Sequence, residues 1–124
     1  YTAEGWRERV VVTDTDDSSK YHFKFVLADK PTPAVEHLQK SGMMPDNPTV
    51  GQGIEVCPLG VQIVRQVAER VAKHGGAALF IDYGEDETQP DTLRGLRAHA
   101  MVDVRSEPGN LDLSADVDFG ALKR

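Results

Sequence analysis

The sequence predicts an α/β fold, and three neighbouring stretches predict it. Residues 58–74 carry an apolar stripe at helical spacing. Residues 77–81 (AALFI) follow a glycine pair as a fully apolar run. That run stops at Asp82-Tyr83-Gly84, beside a cluster of acids. A short apolar run fed by a helix over two residues reads as a buried parallel strand, half of a βαβ crossover. In open α/β sheets, ligands bind outside the carboxyl ends of the strands, so Asp82 stands where a binding or catalytic carboxylate would stand. The other strands of such a sheet are not found in the sequence, so the predicted sheet is incomplete in this chain.

The elements follow in order. Residues 6–13 (WRERVVVT) and 20–28 (KYHFKFVLA) read as two strands joined by the turn formers Asp14-Thr15-Asp16-Asp17-Ser18-Ser19. Tyr21, Phe23, Phe25 and Leu27 fall on one face and His22 and Lys24 on the other, which predicts a hairpin with one buried face. Thr32 is placed to cap a short helix that has Pro33 at its first position and runs to about Lys40. Residues 41–53 hold three glycines and two prolines without a period and read as a mobile loop, with Met43-Met44 as packing residues.

The clearest helix spans 58–74. Val61, Val64, Val67, Ala68, Val71 and Ala72 form its apolar stripe, Pro58 sits in its first turn, Glu69 and Lys73 pair at i, i+4, and Gly75 supplies a left-handed cap. Beyond the predicted strand, residues 84–91 (GEDETQPD) read as an acidic loop. Asp91 or Thr92 then caps a short helical turn bearing Arg94 and Arg97, and Met101–Val104 reads as a short strand. Asp118 reads as the N-cap of a helix beginning at Phe119.

Composition narrows the function. The 124 residues amount to one domain's worth of chain. The formal net charge of −6 argues against nucleic acid, whose affinity comes from clustered Lys and Arg, and favours cationic partners. No apolar run approaches the ~20 residues of a membrane span, and no signal peptide is recognisable. The single cysteine, Cys57, excludes an internal disulfide and a Cys-based metal site and is expected as a small buried side chain. A start at Tyr1 and a last helix cut at Arg124 lead us to expect a piece of a longer protein.

Several chemistries lack their motifs. There is no GxGxxG, no P-loop, no HExxH and no GxSxG, and His22, His37, His74 and His99 do not fall at metal-ligand spacing. Carboxylates remain: Glu55 before the long helix, Asp82 after the predicted strand, and Asp112, Asp116 and Asp118 near the end. For the acids of 85–91 a solvated loop is the expected role, and for Asp116 and Asp118 turn and cap duty competes with function. Tyr83 is placed either to stack on a ligand or to plug the strand end.

An ordered set of motifs goes further. Glu55-Val56-Cys57-Pro58, the helix, and Gly75-Gly76-Ala77-Ala78-Leu79-Phe80-Ile81-Asp82-Tyr83-Gly84 resemble the MidA family. So do Asp91-Thr92-Leu93-Arg94-Gly95, His99 with Asp103, and Pro108-Gly109-Asn110-Leu111-Asp112-Leu113-Ser114-Ala115-Asp116-Val117-Asp118-Phe119. The match covers about residues 54–120, with a looser one at Gly5-Trp6-Arg7-Glu8.

The resemblance implies part of a class I methyltransferase-like, Rossmann-type sheet with an inserted β-hairpin. Residues 1–53 would be the hairpin insertion, short helix and flexible loop. Residues 54–124 would be the helix–strand unit and the acidic substrate-side segments. It further implies an S-adenosylmethionine-dependent protein arginine methyltransferase that acts on a respiratory complex I subunit and supports complex I assembly. The location implied is the mitochondrial matrix, or the cytoplasm in bacterial relatives. The family's glycine-rich cofactor loop lies upstream of the matched region and has no counterpart in residues 1–53, so this chain alone is expected to bind the cofactor poorly and to be inactive.

An arginine substrate needs carboxylates to hold its permanently charged guanidinium. Asp82 and Glu55 are the first candidates for orienting it, and Tyr83, Gly84, Asp116 and Asp118 the second. A non-catalytic module docking a partner protein through the hairpin and loop is the alternative. A hydrolase built on paired carboxylates ranks last, since no second motif supports it.

Overall fold

The protein is described here by a computed structural model covering residues 1–87 and 90–124. Its elements are β1 (Arg9–Thr13), β2 (Phe23–Leu27), α1 (Pro33–Ser41), α2 (Pro58–His74), β3 (Gly84–Glu85), β4 (Arg94–Arg97), β5 (Ala100–Val102), β6 (Asp112–Ser114), β7 (Val117–Asp118) and α3 (Phe119–Lys123). At this level the fold is mixed α/β, as the sequence predicts. The chain divides into two units, Tyr1–Gly53 with Leu93–Ser114 and Ile54–Thr92 with Ala115–Arg124.

In the first unit β1 and β2 form an antiparallel hairpin with Val11 opposite Phe25. Its connection is held by carboxylates. Asp14 accepts hydrogen bonds from the Ser19 hydroxyl at 2.7 Å and the Lys24 ammonium at 2.9 Å, and Asp16 accepts from the Ser18 amide at 2.9 Å and hydroxyl at 2.6 Å. Those bonds, Ser19 first and then Lys24, lower the Asp14 pKa to about 2. The expected buried face is only half covered: Tyr21, Phe23 and Phe25 are half-buried and Leu27 is exposed. A two-stranded ribbon has no second layer to bury a whole face. The buried apolar positions are instead Trp6, 7% exposed and edge-on to Tyr1, and Val35, 5% exposed, on α1.

Helix α1 begins as expected. Thr32 Oγ1 accepts from the Val35 amide at 3.3 Å, Pro33 opens the first turn, and Gly42 closes the helix at φ 71°. The Thr32 hydroxyl also donates to Glu8 at 2.5 Å, tying the cap to the residue before β1.

The predicted helical turn over 92–97 is corrected. Residues 94–97 are strand β4, central in an antiparallel sheet of order β5-β4-β6. Arg97 pairs with Ala100 across the two-residue loop Ala98-His99, whose φ values of 47° and 63° build a tight hairpin turn. Asp103 follows β5 and accepts from Arg105 through Nε at 2.8 Å and Nη2 at 2.7 Å. These bonds lower its pKa to about 2, and the Arg105 guanidinium lies over the Tyr21 ring at 4.6 Å.

In the second unit α2 has the predicted bounds. Val61, Val64, Val67 and Val71 are half-buried, while Ala68 and Ala72 are exposed, and the helix packs against α3. Cys57, expected to be buried, is exposed and caps α2, its Sγ accepting from the Gly60 amide at 3.4 Å. Its place directly before Pro58 puts it at the helix entrance. Glu69 bonds Arg65 at 3.0 Å rather than Lys73. Gly75 has the positive φ expected of it, 76°, but its ψ of 178° is extended rather than left-handed helical.

The apolar run after Gly76 departs most from expectation. Residues 77–82 belong to no strand, and Leu79 and Ile81 are 82% and 85% exposed. A parallel strand takes its hydrogen bonds from neighbours brought alongside by crossovers. Among the described residues the parallel pairing comes only afterwards, where Gly84 and Glu85 of β3 pair with Val117 and Asp118 of β7. Thr88 and Gln89 of the predicted acidic loop lie outside the described residues.

Candidate functional site

The candidate site grows from the β3–β7 pair. The Val117 amide donates to the Tyr83 carbonyl at 2.8 Å, which draws the end of the Asp-Tyr-Gly motif against the Asp116-Val117-Asp118 run. A side chain on Gly84 would collide with the Val117 backbone, its Cβ lying 2.8 Å from the carbonyl carbon and from the nitrogen, so only glycine permits this approach. Asp118 caps α3, accepting from the Ala121 amide at 2.7 Å. The second glycine of close approach, Gly120 in α3, lies against the Asp86 carbonyl, and Lys123 of the same helix bonds the Asp86 carboxylate at 2.6 and 2.7 Å.

Around this pair lies a small cavity lined by Glu55, Glu85, Glu87, Thr92, Asp116, Val117 and Asp118. Thr92 organises it. The Thr92 amide donates to Glu55 Oε1 at 3.0 Å, its hydroxyl donates to Glu55 Oε2, and the Asp116 amide donates to the Thr92 hydroxyl at 2.9 Å. Five of the seven lining residues are acidic, Glu55, Glu85, Glu87, Asp116 and Asp118. Such a wall attracts a cation and repels an anion.

The site residues predicted from sequence do not all meet. Glu55, Asp116 and Asp118 line the cavity, half-buried. Gly84 abuts it through its pairing with Val117. Asp82 and Tyr83 stand outside the lining. Asp82 is exposed, its Oδ1 accepting from the Tyr83 amide at 2.8 Å, and the Tyr83 side chain is 77% exposed. Sequence reasoning passed over Thr92 as a helix cap and Glu85 and Glu87 as solvated acids. Nothing local could reveal Thr92, because its bonds reach 37 residues back and 24 forward. For the glutamates the signal was present, as acids close after the Asp-Tyr-Gly motif.

The described residues do not fit S-adenosylmethionine. The cavity has room for about one water molecule. Its lining holds no glycine, so no glycine backbone cradle faces it. Among the described residues no group of three or more His, Cys, Asp or Glu side chains is arranged to hold a metal ion. None of their helices is long and apolar enough to cross a membrane.

The fold and site thus define an α/β segment with an acidic cavity at the edge of a parallel strand pair. The chain as a whole belongs to the family described as "Putative S-adenosyl-L-methionine-dependent methyltransferase", which it matches over residues 1–124. Among curated proteins it is similar to protein arginine methyltransferase NDUFAF7, mitochondrial, of Rattus norvegicus and of Homo sapiens. It is 42% identical to each over 123 residues, 99% of this chain. The Drosophila melanogaster homolog is 35% identical over 122 residues, 95% of this chain. In each comparison the chain spans about a quarter of the relative, 26% of its length.

Proposed function

We propose that this chain is the substrate-side segment of an S-adenosylmethionine-dependent protein arginine methyltransferase. The whole protein would methylate an arginine of a respiratory complex I subunit in mitochondria and so support complex I assembly. The observation that carries the reading is 42% identity along 99% of the chain to proteins named mitochondrial protein arginine methyltransferases. In this proposal the segment completes a class I, Rossmann-type sheet together with the rest of the protein, which supplies the cofactor site.

The geometry supports an acceptor-side role. A guanidinium stays protonated at any physiological pH and offers planar, forked donors that carboxylates match. Glu55, Asp116 and Asp118 border one cavity, and Asp82 lies one residue before the Tyr83 carbonyl that binds the Val117 amide. On this reading these four carboxylates recruit and orient the arginine, with Tyr83 and Gly84 at the edge. Orientation is the main service the acceptor side can give, because aligned reactants avoid most of the entropic cost of meeting.

The test is methyl transfer by the full-length protein from radiolabelled S-adenosylmethionine to individually purified, unmethylated complex I subunits. Label recovered on arginine is expected. A folded protein that binds the cofactor and labels no subunit would sink the proposal.

A second reading, a non-catalytic docking module, is favoured by Val11 and Leu27. Both are exposed on the hairpin and lie on the same face as Phe25. Pull-down with the hairpin deleted, set against Asp82→Asn, separates the two. Loss of function from the deletion alone would favour docking.

A further inference from the structure

We infer that Thr92 is a positioning residue of the acceptor site, its hydroxyl joining the Glu55 carboxylate to the Asp116–Asp118 run and fixing the spacing between those carboxylates. The inference rests on the reading that these carboxylates hold the substrate guanidinium at the mouth of a cavity too small to enclose it. A threonine hydroxyl has one proton and two lone pairs. Here the proton goes to Glu55 and one lone pair accepts the Asp116 amide at 2.9 Å. The Thr92 amide meanwhile holds the other Glu55 oxygen at 3.0 Å. One residue thus grips both oxygens of Glu55 and anchors the backbone that carries Asp116.

Each Glu55 oxygen keeps a second lone pair for an incoming N–H donor. What the clamp removes is rotation of the carboxylate. A forked guanidinium gains from this, because two parallel bonds require both acceptors at fixed positions. The hydroxyl is therefore more than a turn-forming group. It connects two segments far apart in sequence, and both carry carboxylates of the same wall.

The test is steady-state methyl transfer by the full-length protein to the complex I subunit that wild type labels. Thr92→Val keeps the shape and the backbone amide but loses both hydroxyl bonds, and Thr92→Ser keeps them. Thr92→Val is expected to raise KM for the acceptor about ten-fold, the effect of losing a hydrogen bond to a charged group. It should leave KM for S-adenosylmethionine unchanged, and Thr92→Ser should restore the wild-type value.

Glu55→Gln and Asp116→Asn are measured alongside. If they raise the acceptor KM and Thr92→Val does not, the role of Thr92 is overturned while the acceptor site stands. If neither changes it, the cavity is not the acceptor site and both readings fall together. A matching rise in both KM values, shared by Thr92→Ser, would mark Thr92 as merely structural and overturn the inference. If Thr92→Val does not fold, Thr92→Ala carries the same comparison, and failure of both to fold likewise marks a structural role.

Discussion

Two carboxylates proposed for the same cation have opposite surroundings. Glu55 is half-buried and clamped by Thr92, whereas Asp82 is exposed and bonds the amide of the next residue. Removing the charge of Asp82 should therefore leave the fold almost untouched, within about 0.5 kcal/mol, as for most surface changes. Asp82→Asn in the full-length protein is expected to melt with wild type yet transfer methyl at least about ten-fold more slowly, through ~1–3 kcal/mol lost from a charge-assisted bond. Unchanged turnover would remove Asp82 from the site. Asp14 and Asp103 have a different duty, in stability. Ser19 and Lys24 hold the first, and Arg105 the second, with pKa values of about 2 against an ordinary 3.8. A carboxylate with its pKa lowered by folding contributes stability in full above its unfolded pKa and loses that contribution as pH falls through the folded one. Urea unfolding should accordingly show the stability declining from about pH 4 toward pH 2. Asp14→Asn and Asp103→Asn together should flatten that decline. Both groups are only partly buried, so raised salt should shrink the effect as well.

Elements show what local chemistry can and cannot announce. The β4–β5 hairpin turns on Ala98-His99 with both residues at positive φ, a geometry that favours Asn-Gly. Ala and His give no turn signal, so the sequence reads as a helical turn where the structure has a strand. Replacing the pair by Ala98→Asn with His99→Gly is expected to stabilise the protein by about 1 kcal/mol, because both new residues tolerate the left-handed region. A higher urea midpoint at unchanged slope would show it, and a lower midpoint would count against the turn. By contrast, α1 and α2 were legible to within a residue or so. Their signals are local: Thr32 before Pro33, Pro58 at an N-terminus, valines at three- and four-residue spacing, and glycine at the end. The cap at Asp118 was legible for the same reason. The strand over 77–81 was misread because a strand is defined by its neighbours, which no local pattern contains. Of the candidate site, the carboxylates were visible as residue types. Their grouping was not, because the Thr92 clamp is made of contacts across 37 and 24 positions.

At the scale of the molecule, the exposed run and the small cavity carry one argument. Leaving apolar side chains such as Leu79 and Ile81 in water costs about 25 cal/mol for each Å² of apolar surface. Few folded domains leave a contiguous apolar run so open unless something covers it. The curated relatives are about four times the length of this chain, which spans 26% of them. In the proposed enzyme the remaining three quarters would supply strands alongside residues 77–81 and the cofactor site. The acidic cavity would then keep the acceptor side. Cofactor affinity and acceptor affinity should consequently separate between segment and whole. Isothermal titration of the 124-residue chain with S-adenosylmethionine is expected to show no binding in the micromolar range, because the acid-lined cavity has no room for the cofactor. The full-length protein should bind it. Glu55→Gln, placed in the full-length protein, should leave that cofactor affinity unchanged while weakening the acceptor. Micromolar binding by the segment itself would show that these residues form a cofactor site, and the division of labour between segment and whole would have to be abandoned.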